Sequence, residues 1–291
     1  MNILILSAST GGGHMRASKA IEGYMTQQNK DINVKIVDSL LYISPILNKT
    51  VTGGYVYLAT KTPKLYGKLY DLTNKDHKFA NFVTRLNNIF ANKLLPLIDE
   101  FRPDIIITTH PFPTEMVSRL KSKKEINIPL ICIMTDYAPH KAWISDKVDA
   151  YIVANDDMVT KMIAEGVDSR CIYPYGIPVD EVFFEEKEKQ LVIEELGLDK
   201  NLPTILMMAG SFGVSNVFDV YENIIDIDLD FQIILVTGRN QKLYNNFEEV
   251  IGSTPKKTKL IYFTDEINKF MQASDIIITK PGGLTVTEAL A

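Results

Sequence analysis

Residues 2–25 read NILILSASTGGGHMRASKAIEGYM, an order of residue types that predicts a strand, a glycine turn and then a helix. The opening apolar run is continuous, as expected for a strand that is covered on both faces. Five apolar residues after the glycines recur at i, i+3, i+4, i+7 and i+8, the spacing of one helix face: Ala17, Ala20, Ile21, Tyr24 and Met25. The stretch therefore predicts the first strand–turn–helix unit of an α/β fold.

The same pattern of short apolar runs continues along the rest of the chain. Further runs rich in Ile and Val are NVKIVDS, DIIITTH, PLICIMTD, DAYIVAN, PTILMMAG, FQIILVTG, TKLIYFT and DIIITK. Because strands buried on both faces read as continuous apolar runs, we predict parallel sheets covered by helices, and hence the α/β class.

Residues 173–190, YPYGIPVDEVFFEEKEKQ, interrupt this series with two prolines, a glycine and a cluster of acidic residues. We therefore predict two Rossmann-like domains, residues 1–180 and 181–291, whose parallel sheets face a cleft. The last residues, DIIITKPGGLTVTEALA, end two turns into a predicted helix that has no C-cap. The second domain is accordingly expected to be incomplete.

Charge is distributed unevenly along the 291 residues, whose formal net charge is −5. The acidic total argues against nucleic acid as a partner, and no apolar run reaches the ~18 residues of a transmembrane helix. Residues 49–85 nevertheless carry seven Lys and Arg against two Asp. Lysines beside aromatic groups are typical of an element that contacts an anionic membrane surface, here Lys61, Lys64, Lys68, Tyr66 and Tyr70. The alternative is a solvated lysine face over a core of tyrosines.

Three glycines, Gly11, Gly12 and Gly13, lie between the first strand and the first helix. Bare backbone there allows positive φ angles and close approach of a ligand, and the helix N-terminus offers free N–H groups. The spacing fits neither a dinucleotide site nor a P-loop. His14 follows, and the positive end of the helix should lower its pKa, which suits a neutral general base. The alternative is a tight turn with a surface histidine.

Two further strand ends carry polar side chains. TTHPFP places His110 after one strand, and MTDYAPHKAW places Asp136 and His140 after the next. Asp136 is expected either to activate an acceptor hydroxyl or to hold an imidazole in one tautomer. Because no two of the three histidines have the i, i+4 spacing of a helical metal site, no obligatory metal is predicted.

Two glycine turns in the second half of the chain predict a site for a nucleotide diphosphate. Their residues are Gly210, Ser211 and Gly213 in AGSFGVSN, and Gly282, Gly283, Thr285 and Thr287 in KPGGLTVTEALA. N–H and hydroxyl groups suit phosphate, and Glu288, one turn into the helix, suits a ribose diol or else stabilises the helix dipole. Phe263 is expected to lie against a base or in the core. Arg239 is expected to meet phosphate or to cap a helix.

Five segments in order along the chain are ILILSASTGGGHMRASKAI, THPFP, MTDYAPHKAW, GIPV and TKPGGLTVTEALA. They resemble the monogalactosyldiacylglycerol synthases and the bacterial processive diacylglycerol glucosyltransferases. A more distant similarity is to the lipid-linked N-acetylglucosaminyltransferase of peptidoglycan synthesis. The resemblance implies a GT-B glycosyltransferase that inverts at the sugar, uses a UDP-sugar and binds the membrane peripherally.

The resemblance also implies roles for individual residues. His14 is implied as the general base at the acceptor hydroxyl, with Asp136 and His110 as its neighbours. The implied donor contacts are Gly210 and Ser211 at the phosphates, Phe263 at uracil and Glu288 at the ribose or sugar. Members of the family continue past the TEAL helix with a PGQE-like element that touches the donor and that this sequence does not include. Weak donor binding or loss of activity is therefore implied for the chain as given.

The predicted function is transfer of a hexose from UDP-glucose or UDP-galactose to diacylglycerol, at the cytoplasmic face of the cell membrane and without a cofactor. Helix N-termini would stabilise the leaving diphosphate. The alternatives are a sugar-nucleotide epimerase, which has the same architecture and binds UDP, and a non-catalytic UDP-sugar-binding protein. The basic segment at residues 49–85 favours the transferase, since an epimerase needs no membrane contact. The sequence does not choose between the two sugars.

Overall fold

The computed structural model describes residues 1–9, 12–44, 90–185, 189–209 and 217–291. These residues form two compact units. The first comprises Met1–Glu181 and Gly282–Thr287, and the second comprises Val182–Pro281 and Glu288–Ala291. Each unit is built on its own parallel β-sheet.

Six parallel strands form the sheet of the first unit: β1 (Asn2–Ser7), β2 (Asn33–Asp38), β3 (Ile105–Thr108), β4 (Leu130–Ile133), β5 (Ala150–Ile152) and β6 (Ile172–Tyr173). Their order across the sheet is β2-β1-β3-β4-β5-β6. The described helices of this unit are α1 (Gly13–Gln28), α2 (Ser39–Ile43), α3 (Leu95–Phe101), α4 (Pro111–Ser122) and α5 (Asp156–Ala164). Short 3₁₀ turns span Lys141–Trp143 and Ser169–Cys171.

Four parallel strands form the sheet of the second unit: β7 (Thr204–Met208), β8 (Gln232–Val236), β9 (Thr258–Ile261) and β10 (Ile276–Thr279). Their order is β10-β7-β8-β9. The helices are α6 (Lys189–Glu195), α7 (Val217–Ile225), α8 (Gln241–Ile251) and α9 (Ile267–Gln272), and a 3₁₀ turn spans Glu181–Phe183. The last helix, α10 (Gly283–Leu290), belongs to the first unit up to Thr287 and to the second unit from Glu288.

Strand β1 shows why the apolar runs are continuous. Ile3 and Ile5 pack with Ile21 of α1 on one face of the sheet. Leu4 and Leu6 pack on the other face with side chains of α3 and α4. Successive side chains of a strand point to opposite faces, so a sheet covered on both sides requires an apolar residue at every position.

All nine expected strands are present, and the predicted α/β class with parallel sheets is confirmed. Strand β6 is additional, because two residues carry no periodicity that a sequence pattern could reveal. In α1, Ala17, Ala20 and Ile21 are buried, whereas Tyr24 is exposed at the far end of the predicted face. None of the helices in the described ranges combines the length and the apolar character that a bilayer span requires.

Three strands begin directly after an aspartate that forms a ring of two hydrogen bonds with the first residue of a neighbouring strand. In each ring the aspartate N–H donates to the neighbour's carbonyl, and the neighbour's N–H donates to the carboxylate. The pairs are Asp104 with Asn2 (2.8 and 2.7 Å), Asp149 with Leu130 (2.9 and 2.7 Å) and Asp275 with Thr204 (2.8 and 2.9 Å). Because a slip of one residue would turn every buried side chain to the wrong face, these rings stabilise the register at the amino edge of each sheet.

Asp149→Ala should lower the free energy of unfolding by about 1–3 kcal/mol, because the Leu130 N–H loses its acceptor. Asp149→Asn should lower it less, since the amide oxygen still accepts. Urea denaturation measures the change through the fluorescence of Trp143, the one tryptophan of the chain, which is buried in this unit. Asp146→Ala, at an exposed turn residue, is the control. Equal effects of Asp149→Ala and Asp146→Ala would contradict this role of the ring.

Candidate functional site

His14 is the second residue of α1, and its half-buried side chain lies at the carboxyl edge of the first sheet. Gly12, directly before the helix, has φ −76° and ψ −17°, an ordinary helical conformation. Neither Gly12 nor Gly13 uses the positive φ angle that was expected of this turn. A Cβ on Gly13 would meet Leu284 at an ordinary contact distance of 3.5 Å. These two glycines therefore supply bare backbone rather than a left-handed turn.

Two acceptors hold the imidazole of His14 at the same nitrogen. The Thr109 carbonyl oxygen lies 2.9 Å from Nδ1, and the Thr135 hydroxyl oxygen lies 2.8 Å from it. A carbonyl oxygen can only accept a hydrogen bond, so Nδ1 carries the proton. The lone pair of the neutral ring then lies on Nε2, which is the atom that can act as a base.

Buried hydroxyl groups form hydrogen bonds with the residues that hold His14. Ser18, one helical turn after His14, donates to the His14 carbonyl at 3.0 Å and lies 2.9 Å from the Thr109 hydroxyl. Thr109 in turn donates to Ser7 at 2.8 Å. The sequence motifs did not predict a role for these hydroxyls. The sequence features that could have indicated them are weak: Thr109 precedes His110 in TTHP, and Ser18 follows His14 by four residues, the spacing of one helical turn.

His110 lies against His14, with ring centroids 4.7 Å apart and the rings nearly perpendicular. Its Nδ1 accepts the Phe112 N–H at 3.1 Å and caps the start of α4. Burial, and then the positive charge of a protonated His14, hold the pKa of His110 well below 6.5. His110 is therefore a neutral ring beside His14, and its Nδ1 is already occupied by the helix cap.

Asp136 places an exposed carboxylate at the same edge of the sheet. Its Oδ2 accepts the indole N–H of Trp143 at 2.9 Å. Trp143 is only 1% exposed, and its ring centroid lies 6.2 Å from that of His14. A rigid buried indole thus holds the carboxylate. Trp143, the chain's single tryptophan, lies within MTDYAPHKAW, but the sequence pattern predicted no role for it.

The pKa of His14 is set by opposing influences. Burial lowers it from 6.5, and this is the largest influence; the charge of Asp136 and the hydrogen bond to Thr109 raise it in part. The pKa of His14 is therefore lowered, as expected, but the main cause is desolvation rather than the helix N-terminus. A histidine of this kind is neutral at pH 7 and remains able to accept a proton.

His140 does not join a metal site with His14 and His110. Its Nδ1 accepts the Ala142 N–H at 3.1 Å and caps a 3₁₀ turn, and burial lowers its pKa. Within the described ranges, no group of three or more His, Cys, Asp or Glu side chains could hold a metal ion. Residues 226–230, DIDLD, have Asp-x-Asp spacing. That loop leads into the amino end of β8.

Gly283 lies at the start of α10, within the first unit, against the backbone of Thr135. A Cβ at residue 283 would collide with the Thr135 carbonyl oxygen, so only glycine fits there. Thr287, one turn later, donates to the Gly283 carbonyl at 2.9 Å and lies 2.9 Å from the Tyr137 hydroxyl. Gly282 and Thr285 flank this contact and are half-buried.

Arg239 and Phe263 come together in the second unit. The Arg239 guanidinium lies 4.3 Å from the centroid of the Phe263 ring, a cation–π stack. Phe263 follows β9 and is 39% exposed, so it is not a core residue. Gly238 has φ +65° and turns the chain after β8. The helix cap that was an alternative role for Arg239 belongs to Asn240, whose side chain accepts the Leu243 N–H.

Glu288 is buried, with 4% of its surface exposed, in the part of α10 that belongs to the second unit. It borders a cavity of about 430 Å³ together with side chains that include Phe183, Asn268 and Gln272. A carboxylate on such a wall can accept hydrogen bonds from a diol.

Several predicted site residues lie outside the described residues. They are Gly11 of the first turn, Gly210, Ser211 and Gly213 of the second turn, and Lys61, Lys64, Lys68, Tyr66 and Tyr70 of the basic segment.

Comparison with known proteins identifies the family. Residues 14–179 match the family model described as monogalactosyldiacylglycerol (MGDG) synthase, and residues 204–291 match the glycosyltransferase family 28 C-terminal domain. A Staphylococcus epidermidis protein named processive diacylglycerol beta-glucosyltransferase is 32% identical over 296 residues, which cover 99% of this chain and 73% of that protein. A Staphylococcus aureus protein of the same name is 32% identical over 295 residues, with the same coverage.

Solved structures with the same fold have little sequence identity to this chain. MurG of Acinetobacter baumannii has a TM-score of 0.58 at 12% identity and covers 99% of this chain, which covers 75% of MurG. Anabaena Alr3699/HepE in complex with UDP-glucose has a TM-score of 0.57 at 14% identity, with coverage of 100% and 78%. These similarities establish the GT-B fold and nothing finer. Since the MGDG synthase model matches more than half of the chain and the staphylococcal relatives are similar along nearly all of it, the chain belongs to the monogalactosyldiacylglycerol synthase family of glycosyltransferases.

Proposed function

We propose that this protein transfers a hexose from a UDP-sugar to the free hydroxyl of diacylglycerol and so makes a membrane glycolipid. The names of the relatives support diacylglycerol as the acceptor, and they favour glucose over galactose as the sugar. A β-linked product from an α-linked UDP-sugar requires inversion at the anomeric carbon. One displacement by the acceptor hydroxyl accomplishes this and needs one base.

The observation that carries the proposal is the state of His14. Its Nδ1 carries a proton that faces the Thr109 carbonyl and the Thr135 hydroxyl, and burial lowers its pKa, so Nε2 of the neutral ring is available as a base. Nε2 takes the proton of the acceptor hydroxyl while the acceptor oxygen bonds to the anomeric carbon. The bond from that carbon to the diphosphate breaks, and UDP leaves. Asp136 then faces an imidazolium whose charge it stabilises.

The donor is proposed to bind through residues of the glycine turns and of the second unit. Gly282, Gly283 and Thr285 offer N–H and hydroxyl groups for the diphosphate at the start of α10, a helix N-terminus. Arg239 is suited to the phosphates and Phe263 to uracil, since each is exposed in the stack they form. Glu288 is suited to the sugar or ribose hydroxyls. Gly210, Ser211 and Gly213 are proposed to complete the phosphate site.

The acceptor lipid resides in a membrane, and the protein is proposed to bind peripherally at its cytoplasmic face. The excess of lysine and arginine in residues 49–85 supports an anionic lipid surface as the partner. The proposed reaction uses a UDP-sugar as the donor and requires no cofactor or obligatory metal.

An epimerase or a non-catalytic sugar-nucleotide binder remains the competing function. The UDP-GlcNAc 2-epimerase of Neisseria meningitidis has a TM-score of 0.55 to this chain at 14% identity, which supports the fold alone. Membership in the monogalactosyldiacylglycerol synthase family favours transfer of a sugar to a lipid.

The full-length protein, incubated with diacylglycerol vesicles, should make glucosyldiacylglycerol from UDP-glucose and little product from UDP-galactose. Mass spectrometry of the lipid and of released UDP measures both. Adding an anionic lipid to the vesicles should raise the rate if residues 49–85 bind the surface. Release of UDP without a glycolipid would move the assignment to another acceptor. Conversion of UDP-GlcNAc to its epimer without lipid product would support the epimerase instead.

His14→Ala should reduce kcat by about 10²- to 10⁴-fold, because the acceptor hydroxyl loses its general base. UDP binding, measured by calorimetry, should stay at the wild-type value. Lys19→Ala, at an exposed residue of the same helix, is the matched control and should turn over normally. Wild-type turnover by His14→Ala would exclude this residue as the base.

The acid limb of kcat/KM should have its midpoint below pH 6.5, because burial lowers the pKa of His14 and the base must be neutral. Asp136→Asn should move the midpoint to still lower pH, since the carboxylate charge raises that pKa. A series of rates from about pH 4.5 to 8 covers the limb. Asp146→Asn, at an exposed carboxylate, is the control. A midpoint that rises or stays in place in Asp136→Asn would contradict the proposed electrostatics.

A further inference from the structure

We propose that Thr135 is the positioning residue of the base: its hydroxyl group, together with the Thr109 carbonyl, orients the His14 ring so that Nε2 is presented to the acceptor. This step rests on the proposed function for the identity of the reacting hydroxyl. The orientation of the ring can be tested without any substrate.

The hydrogen bonds of His14 Nδ1 support this role of Thr135. One proton on Nδ1 faces two oxygens, the Thr109 carbonyl at 2.9 Å and Thr135 Oγ1 at 2.8 Å. Since a protonated Nδ1 has no lone pair to offer, Thr135 Oγ1 acts as a second acceptor and the bond is shared. Two acceptors from the ends of β3 and β4 define the plane of the ring better than one, because rotation about the side-chain torsions would break at least one bond.

Thr135 is itself held firmly. It is 4% exposed, and the preceding residue, Met134, donates its N–H to the Ile152 carbonyl of β5 at 2.9 Å. From the other side its carbonyl oxygen contacts Gly283 so closely that no side chain fits at residue 283. The hydroxyl therefore reaches His14 from a peptide that cannot shift easily. The same residue links the base to the glycine turn proposed for the donor diphosphate.

The contact between Thr135 and His14 affects the reaction because His14 becomes positively charged when it accepts a proton. Of the titratable groups that face the ring, Asp136 is negative and His110 is held neutral by burial. When Nε2 accepts the proton, the positive charge is shared by both ring nitrogens. The Thr135 oxygen then stabilises the imidazolium more than the neutral ring, and its removal should make His14 a weaker base.

The first test is nitrogen NMR of ¹⁵N-histidine-labelled protein across a pH series, with the signal of His14 assigned by His14→Gln. Above its pKa, wild-type His14 should carry its proton on Nδ1. Thr135→Val keeps the shape of the side chain but removes the hydroxyl, and it should lower the pKa of His14. Thr135→Ser should restore the wild-type value. Thr204→Val, which removes a buried hydroxyl in the other unit, should leave His14 unchanged.

Two results would overturn the inference: a wild-type ring that carries its proton on Nε2, or a Thr135→Val protein whose His14 pKa and tautomer equal those of the wild type. Thr204→Val also removes a buried hydroxyl group, so it shows how far a general loss of stability changes the pKa of His14. A change that occurs in Thr135→Val but not in Thr204→Val is therefore due to the lost hydrogen bond.

The second test is turnover of diacylglycerol in vesicles. Thr135→Val should lower kcat about tenfold with KM for the UDP-sugar unchanged, and Thr135→Ser should recover most of the loss. An unchanged kcat in Thr135→Val would refute the role in catalysis. If the wild-type protein makes no glycolipid but shows the expected NMR behaviour, the proposed function fails while the positioning of His14 by Thr135 stands. The two failures are therefore distinguishable.

Discussion

Parallel pairing of β1, β3 and β4 brings their carboxyl ends to one edge of a single sheet, and everything around His14 depends on this constraint. Thr109 follows β3, Thr135 follows β4, and α1 begins after β1 with His14 in its first turn. In an antiparallel sheet the carboxyl end of β3 would lie at the opposite edge from those of β1 and β4. The aspartate rings at the amino edge maintain the register that makes the alignment possible. A catalytic imidazole can then be held by groups that are about a hundred residues apart in sequence.

Electrostatics at this edge balance two requirements of a base. Burial keeps His14 neutral, and the Asp136 carboxylate limits the loss of basicity that burial causes. His110 and His140 use their Nδ1 atoms as helix caps and stay neutral, so neither competes for the proton through that nitrogen. Three histidines at one edge therefore have different tasks, and the hydrogen-bond partner of each Nδ1 distinguishes them.

Glycine has more than one use in this chain. Gly238 adopts a left-handed conformation, whereas Gly12 is helical. Gly283 is required for a different reason, since its missing side chain lets the start of α10 contact the Thr135 carbonyl. This close approach joins the turn proposed for the diphosphate to the residue that orients the base. Glycine in such a turn does not by itself identify a phosphate site, because a neighbouring peptide can need the same space.

The sequence alone predicted the α/β class, the parallel sheets, nine of the ten strands found in the described residues and the residues at the strand ends, including His14, His110 and Asp136. Continuous apolar runs and glycine turns are local patterns, so they can be recognised without coordinates. The tautomer of His14, the acceptor roles of Thr109 and Thr135 and the hydrogen bond from Trp143 to Asp136 could be seen only in the three-dimensional structure. It also showed that burial, rather than the helix terminus, is the main reason for the lowered pKa of His14. These properties depend on groups from separate strands that meet in space, and no spacing along the chain records such a meeting.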